Sequence, residues 1–145
     1  MLIVNLGGEG EDIVAIAVSP GATIVHVNPL DYPEDLVMAP VRTGFEVSLR
    51  PEHKLLRRLA HATGLPDEYA DAVVAQSFPI QMNTTQDLTP IADLAAEAYR
   101  ICKSGGELAF HCSSCDREAL AEAFRRAGFS DVHVNQRRYA VGRKL

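Results

Sequence analysis

The segment VNLGGEGED, Val4 to Asp12, places glycines and carboxylates directly after a short apolar run. Glycine there lets the backbone turn tightly and come close to a ligand. Glu9, Glu11 and Asp12 crowd the point where a helix would open. They suit the positive end of a helix. They would repel a pyrophosphate that used the N–H groups of the same helix end. The loop therefore favours a nucleoside with cationic groups and no phosphate over a nucleotide or dinucleotide. Asn5, Gly7, Gly8, Glu9 and Gly10 are the candidate binding residues. The plain alternative is a tight strand-to-helix turn with capping carboxylates.

Asn28-Pro29 follows a second β-branched run, 23 residues on from Asn5. An acidic residue at about that distance usually accepts from ribose hydroxyls, and the Asn28 amide oxygen can accept one such bond without charge. His111 ends another apolar run. It is a candidate general base near neutral pH, set against the commoner case of a hydrogen-bonded structural histidine. Cys112-Ser113-Ser114-Cys115 is a C-x-x-C opening a helix, where thiol pKa is lowered. With His111 and Cys102 it would make a zinc set, but Cys102 is expected at the far end of the sheet. No metal is expected, and these cysteines read as ordinary thiols.

The elements that must position these residues alternate in type. Ile3 to Leu6 reads as a strand, Asp12 to Val18 as a short buried helix, and Thr23 to Val27 as a second strand. Phe45 to Leu49 alternates like a strand. Pro51 to Thr63 reads as a helix, with Leu55, Leu56 and Leu59 on one face and Gly64 as its cap. Ala72 to Ala75 reads as a buried strand. Thr89-Pro90 opens a helix whose core face is Ile91, Leu94, Ala95, Ala98 and Ile101, and Gly105-Gly106 ends it. Glu107 to His111 is the next strand. Asp116 to Ala127 is a helix with Ala119, Leu120, Ala123 and Phe124 inward. Val132–Val134 and Tyr139–Val141 form a closing antiparallel pair. This order predicts a single α/β domain over residues 1–145. It is a Rossmann-like three-layer sandwich with a mostly parallel sheet and a C-terminal antiparallel strand pair. Ligands then bind at the carboxyl ends of the strands.

Five segments together resemble the class I S-adenosylmethionine-dependent methyltransferases: VNLGGEGED, IVHVNP, ADAVVAQSFP, AYRICKSGGELAFH and EALAEAFRRAGFSDVHV. The likeness spans nearly the whole chain except residues 30–68. It implies S-adenosylmethionine as cofactor, which carries a sulfonium and an ammonium and no phosphate. It also implies methyl transfer to a small molecule, an exposed base or a side chain. Gln76-Ser77-Phe78-Pro79 stands where amino-methylating relatives carry Asn-Pro-Pro-aromatic. The resemblance makes Gln76 the residue that orients the nucleophile and contacts cofactor, with Ser77, Phe78 and Pro79 against the substrate and Phe78 stacking on it. Asn5, Glu9 and Asn28 depart from the family pattern, and no helix precedes the first strand. The competing reading is a degenerate binding, subunit or effector domain of the same fold.

The chain has 145 residues, 47% of them hydrophobic and 23% charged, which suits a folded globular domain. Its net charge of −5 does not favour nucleic acid as a partner, although basic clusters at Arg57–Arg58, Arg125–Arg126 and Arg137–Lys144 keep an exposed base in play. The opening residues lack the basic flank and long apolar stretch of a secretory leader, and no run suits a membrane span. Three cysteines fit a reducing compartment, so the cytoplasm is expected. A first strand beginning almost at Met1 fits a piece of a longer parent protein, with a protein partner as a further expectation.

Overall fold

A computed structural model describes residues 1–7, 21–27, 52–56, 58–75, 91–111 and 116–145. Its strands are β1 (Leu2–Leu6), β2 (Thr23–Val27), β3 (Glu52–Leu56), β4 (Ala70–Ala75), β5 (Cys102–His111), β6 (Ser130–Val134) and β7 (Tyr139–Arg143). Its described helices are α1 (Ile91–Ile101) and α2 (Arg117–Ala127). One sheet runs in the order β3-β2-β1-β4-β5-β7-β6. The first five strands of that order are parallel, and β7 enters antiparallel between β5 and β6. The expected Rossmann-like α/β architecture, mostly parallel with an antiparallel C-terminal pair, is the one observed.

Alternation along the central strands splits them into two apolar faces. Val4, Leu6, Val25, Val27, Val73, Ala75, Leu108 and Phe110 point one way. Against them pack Leu94, Ala95, Ala98 and Ile101 of α1, and Leu120, Ala121 and Phe124 of α2. Phe124 stands edge-on to both Phe110 and Phe129, at centroid distances of 4.8 and 5.8 Å. Burying each such ring is worth about 1.5–3 kcal/mol. Ile3, Ile24, Ala72, Val74, Ala109 and Tyr139 point the other way.

The α2 boundaries follow from local chemistry. Asp116 accepts from the N–H groups of Glu118 and Ala119 at 3.0 and 3.3 Å, satisfying two orphan donors of the first turn. Gly128 closes the other end by donating to the Arg125 carbonyl.

Several expectations need correcting. Pro51 to Thr63 is not a helix over its first half: Glu52–Leu56 pairs with β2 in parallel register. Pairing along a sheet edge overrode a helical pattern in a charged segment of low strand propensity. Gly105-Gly106 does not end α1, which stops at Ile101, and both glycines belong to β5. Gly105 takes φ of +83° and donates to the Lys144 carbonyl. A Cβ on Gly106 would lie 2.7 Å from Cys102 Sγ and 2.9 Å from the Asp71 carbonyl oxygen. The pair therefore serves close strand contact rather than helix capping. Ala119 is exposed, and Ala121 takes the inward place. Asp12–Val18, Phe45–Leu49 and Thr89-Pro90 lie outside the described residues.

Candidate functional site

One register row crosses the second face of the sheet: His26, Asn5, Val74, Ala109, Val141, His133. It lies near the carboxyl ends of the parallel strands. Apolar residues fill its middle, and β1 and β2 place two polar side chains side by side. Asn5 and His26 are each fully buried. Asn5 Nδ2 lies 3.2 Å from His26 Nδ1. An amide nitrogen can only donate, so Nδ1 accepts and the His26 proton belongs on Nε2. Asn5 Oδ1 is buried with no hydrogen-bond partner among the described residues. A buried acceptor left without a donor costs about 1–3 kcal/mol.

Two residues further along, the chain turns. Gly7 has φ of +74° and donates to the Val27 carbonyl at 2.6 Å. Only glycine adopts that backbone without strain. The turn expected after the first strand is therefore present, and it is tied to the end of β2.

His111 ends β5 opposite Tyr139 of β7, with ring centroids 5.1 Å apart. It is half-buried on the same face as the Asn5 row and one step beyond it toward the strand ends. The structure thus brings Asn5, Gly7 and His111 to one end of the sheet. Gly8, Glu9, Gly10, Asn28, Pro29, Gln76, Ser77, Phe78 and Pro79 lie outside the described residues. So do Cys112 and Cys115. The strands leading to the predicted segments, β2 ending at Val27 and β4 at Ala75, flank β1 in register.

Cys102 stands at the opposite end of β5 from His111, as expected. Burial pushes its thiol up to about 11, which keeps it protonated and inert. Among the described residues no three His, Cys, Asp or Glu side chains gather closely enough to hold a metal. No described helix is long and apolar enough to cross a membrane.

Sequence reading missed His26, whose only signal was a polar residue inside the apolar run TIVHV. The closing antiparallel pair around residues 135–137 is present as expected, as β6 and β7. β6 runs parallel to β5 through their shared neighbour β7, so the turn between β6 and β7 sits at the same end of the sheet as His111.

No protein-family model matches the chain, and no curated protein sequence matches it. Solved structures do. A methyltransferase described as S-adenosylmethionine-dependent, from Methanosarcina mazei, is 13% identical with a TM-score of 0.64, over 99% of this chain and 92% of that one. The 1,6-didemethyltoxoflavin-N1-methyltransferase of Burkholderia thailandensis, solved with S-adenosylhomocysteine and its substrate, is 10% identical with a TM-score of 0.60, over 99% of this chain and 71% of that one. The antibiotic-resistance methyltransferase Kmr is 14% identical with a TM-score of 0.59, over 99% and 86%. At these identities the likeness is one of architecture. Strand order, the antiparallel seventh strand and the glycine turn after β1 agree with it: the chain has the fold of the class I S-adenosylmethionine-dependent methyltransferases.

Proposed function

We propose that the chain binds S-adenosylmethionine over the Gly7 turn and transfers its methyl group to a small molecule or exposed base held at the ends of β4 and β5. The observation that carries this reading is the Asn5 amide oxygen, fully buried, unpartnered among the described residues and two residues before the turn. It is an acceptor awaiting a donor, which suits a ligand ammonium. The phosphate-free, cationic character of this cofactor also suits the carboxylates of Glu9, Glu11 and Asp12.

When bound, the cofactor supplies an activated methyl group on a sulfonium. The protein then has to bind, orient and exclude water. Asn5 Oδ1 accepts from the ammonium, and Gly7, Gly8, Glu9 and Gly10 let the backbone approach. Asn28 accepts from a ribose hydroxyl, with Pro29 beside it as a further contact. Gln76 orients the acceptor nucleophile, and Ser77, Phe78 and Pro79 hold the ring that bears it. His111, oriented by its contact with Tyr139, takes the proton that the nucleophile loses.

Calorimetry of the whole chain with S-adenosylmethionine and S-adenosylhomocysteine tests the reading. Saturable heat with a matching rise in Tm is expected. No heat and no thermal shift at millimolar concentration of either compound overturns it.

A further inference from the structure

Most described cations near the second half of the sheet have a carboxylate. Arg100 pairs with Glu97 and Asp67, Lys103 with Asp71, Arg125 and Arg126 with Glu122, and Arg143 with Glu107. Three arginines at the carboxyl end of the sheet have none among the described residues. Arg137 and Arg138 are exposed at the β6–β7 turn. Arg117 opens α2 just after the β5 end, and its Nε is buried without a partner. Of the two carboxylates next to it in sequence, Asp116 is committed to the N–H groups of its own helix, and Glu118 makes no ion pair with it among the described residues.

The turn that carries two of them is built rigidly. Asn135 Oδ1 accepts from the N–H groups of Arg137 and Tyr139, each at 3.0 Å. The Asn135 carbonyl accepts from Arg138 N–H, and Asn135 N–H donates to the Tyr139 carbonyl. Arg138 is held at φ of +68°, where a long side chain costs about 1–2 kcal/mol. Glycine or asparagine would fill that place without the cost. A strained arginine with no carboxylate among the described residues, at the end of the sheet where ligands bind in this fold, points to use rather than to folding.

We propose that Arg137 and Arg138, with Arg117, form an anion-binding rim, and that the methyl acceptor carries one oxyanion group, a phosphate or a carboxylate. This rests on the functional reading above and narrows its substrate class. Guanidinium groups pair such oxyanions with parallel N–H bonds. A chain of net charge −5 with three such arginines suits one anionic group and not a nucleic-acid backbone, which needs a longer basic track.

The test is an amide NMR titration of the whole chain with inorganic phosphate and, separately, acetate. Saturable shifts confined to residues 117 and 135–139 are expected, weakened about tenfold or more in the R137Q/R138Q double variant. The anion giving the tighter midpoint identifies phosphate or carboxylate. Absent shifts, or identical midpoints in the double variant, overturn the proposal. So does a short single-stranded RNA binding far more tightly than phosphate with a steep salt dependence. Cofactor affinity, measured apart by calorimetry, is expected to be the same in both chains. If the cofactor binds neither, the enzymatic reading fails while the anion titration still decides the rim.

Discussion

Asn5 on β1 and His26 on β2 face each other across one parallel register step, their side chains 3.2 Å apart and both shut off from solvent. The contact uses the amide nitrogen and so fixes the amide oxygen as the group left over. A carboxylate at position 5 would present the same acceptor with a full charge. Asn5→Asp is therefore expected to tighten S-adenosylmethionine about tenfold, since charge-assisted bonds are roughly twice as strong as neutral ones. The unliganded protein is expected to lose about 3–5 kcal/mol from the uncompensated buried charge. Calorimetry and urea unfolding check the two halves. A variant with unchanged cofactor affinity would remove Asn5 from the site.

Glu97 is a buried charge in the apolar stripe of α1. Oε2 accepts from the N–H and hydroxyl of Thr63 at 2.8 and 3.1 Å, and Oε1 from Arg100 Nε at 2.5 Å. Burial acts to raise its pKa. The Arg100 and Thr63 bonds outweigh burial and hold the carboxyl below its ordinary 4.5. A depressed folded pKa means the stabilisation is present above the unfolded value and is lost as pH falls through the folded one. Glu97→Gln is expected to cost about 1–3 kcal/mol at neutral pH, and the gap from the parent should close as pH falls below the ordinary 4.5 and through the depressed folded value. Urea melts across that range decide it. A gap that stays constant with pH assigns the loss to packing.

What was legible in the sequence was set by local signals that tertiary contacts reinforced. α2 was read over Asp116 to Ala127 and runs over Arg117–Ala127, with Asp116 as its cap. The Ile3–Leu6 and Thr23–Val27 runs are apolar because both faces of the central strands are covered. β3 was misread because an edge strand need not be apolar, so Glu52–Leu56 carried no strand signal. α1 was read three residues too long because Gly105-Gly106 looked like a stop, when Gly106 is there for lack of room beside Cys102 and Asp71. Of the site, the Gly7 turn was visible from spacing. The Asn5–His26 contact was not, because it joins strands whose register no local pattern sets. Glu97 could have been found: it falls between Leu94, Ala98 and Ile101 on the apolar face.

Lys144 lies next to the last residue yet is 8% exposed. Its ammonium donates to the carbonyls of Tyr99 and Cys102 at 2.9 and 2.8 Å and sits 4.3 Å from the centre of the Tyr99 ring. These carbonyls belong to the end of α1 and its exit, where a cation also meets the negative end of the helix dipole. Lys144→Met keeps most of the stem packing and removes the donor. A loss of about 1–3 kcal/mol is expected, with hydrogen exchange speeding at the last turn of α1. Unchanged exchange there would show that the lysine does not hold that helix end.

Arg138→Gly separates folding from binding at the β6–β7 turn. Glycine removes the left-handed penalty of about 1–2 kcal/mol, offset by about 0.4–1 kcal/mol of added unfolded-state freedom. The net is a gain of about 0.5 kcal/mol, or about 1–2 °C in Tm for a chain of this size. The same change deletes one of the rim guanidinium groups, so phosphate affinity should fall as stability rises. Asn135 keeps its bonds to the backbone of residues 137–139, which glycine leaves intact. Opposite signs for Tm and anion affinity are therefore the expected signature. A fall in Tm would mean that the Arg138 side chain supports the turn, and the strain would then need no functional account.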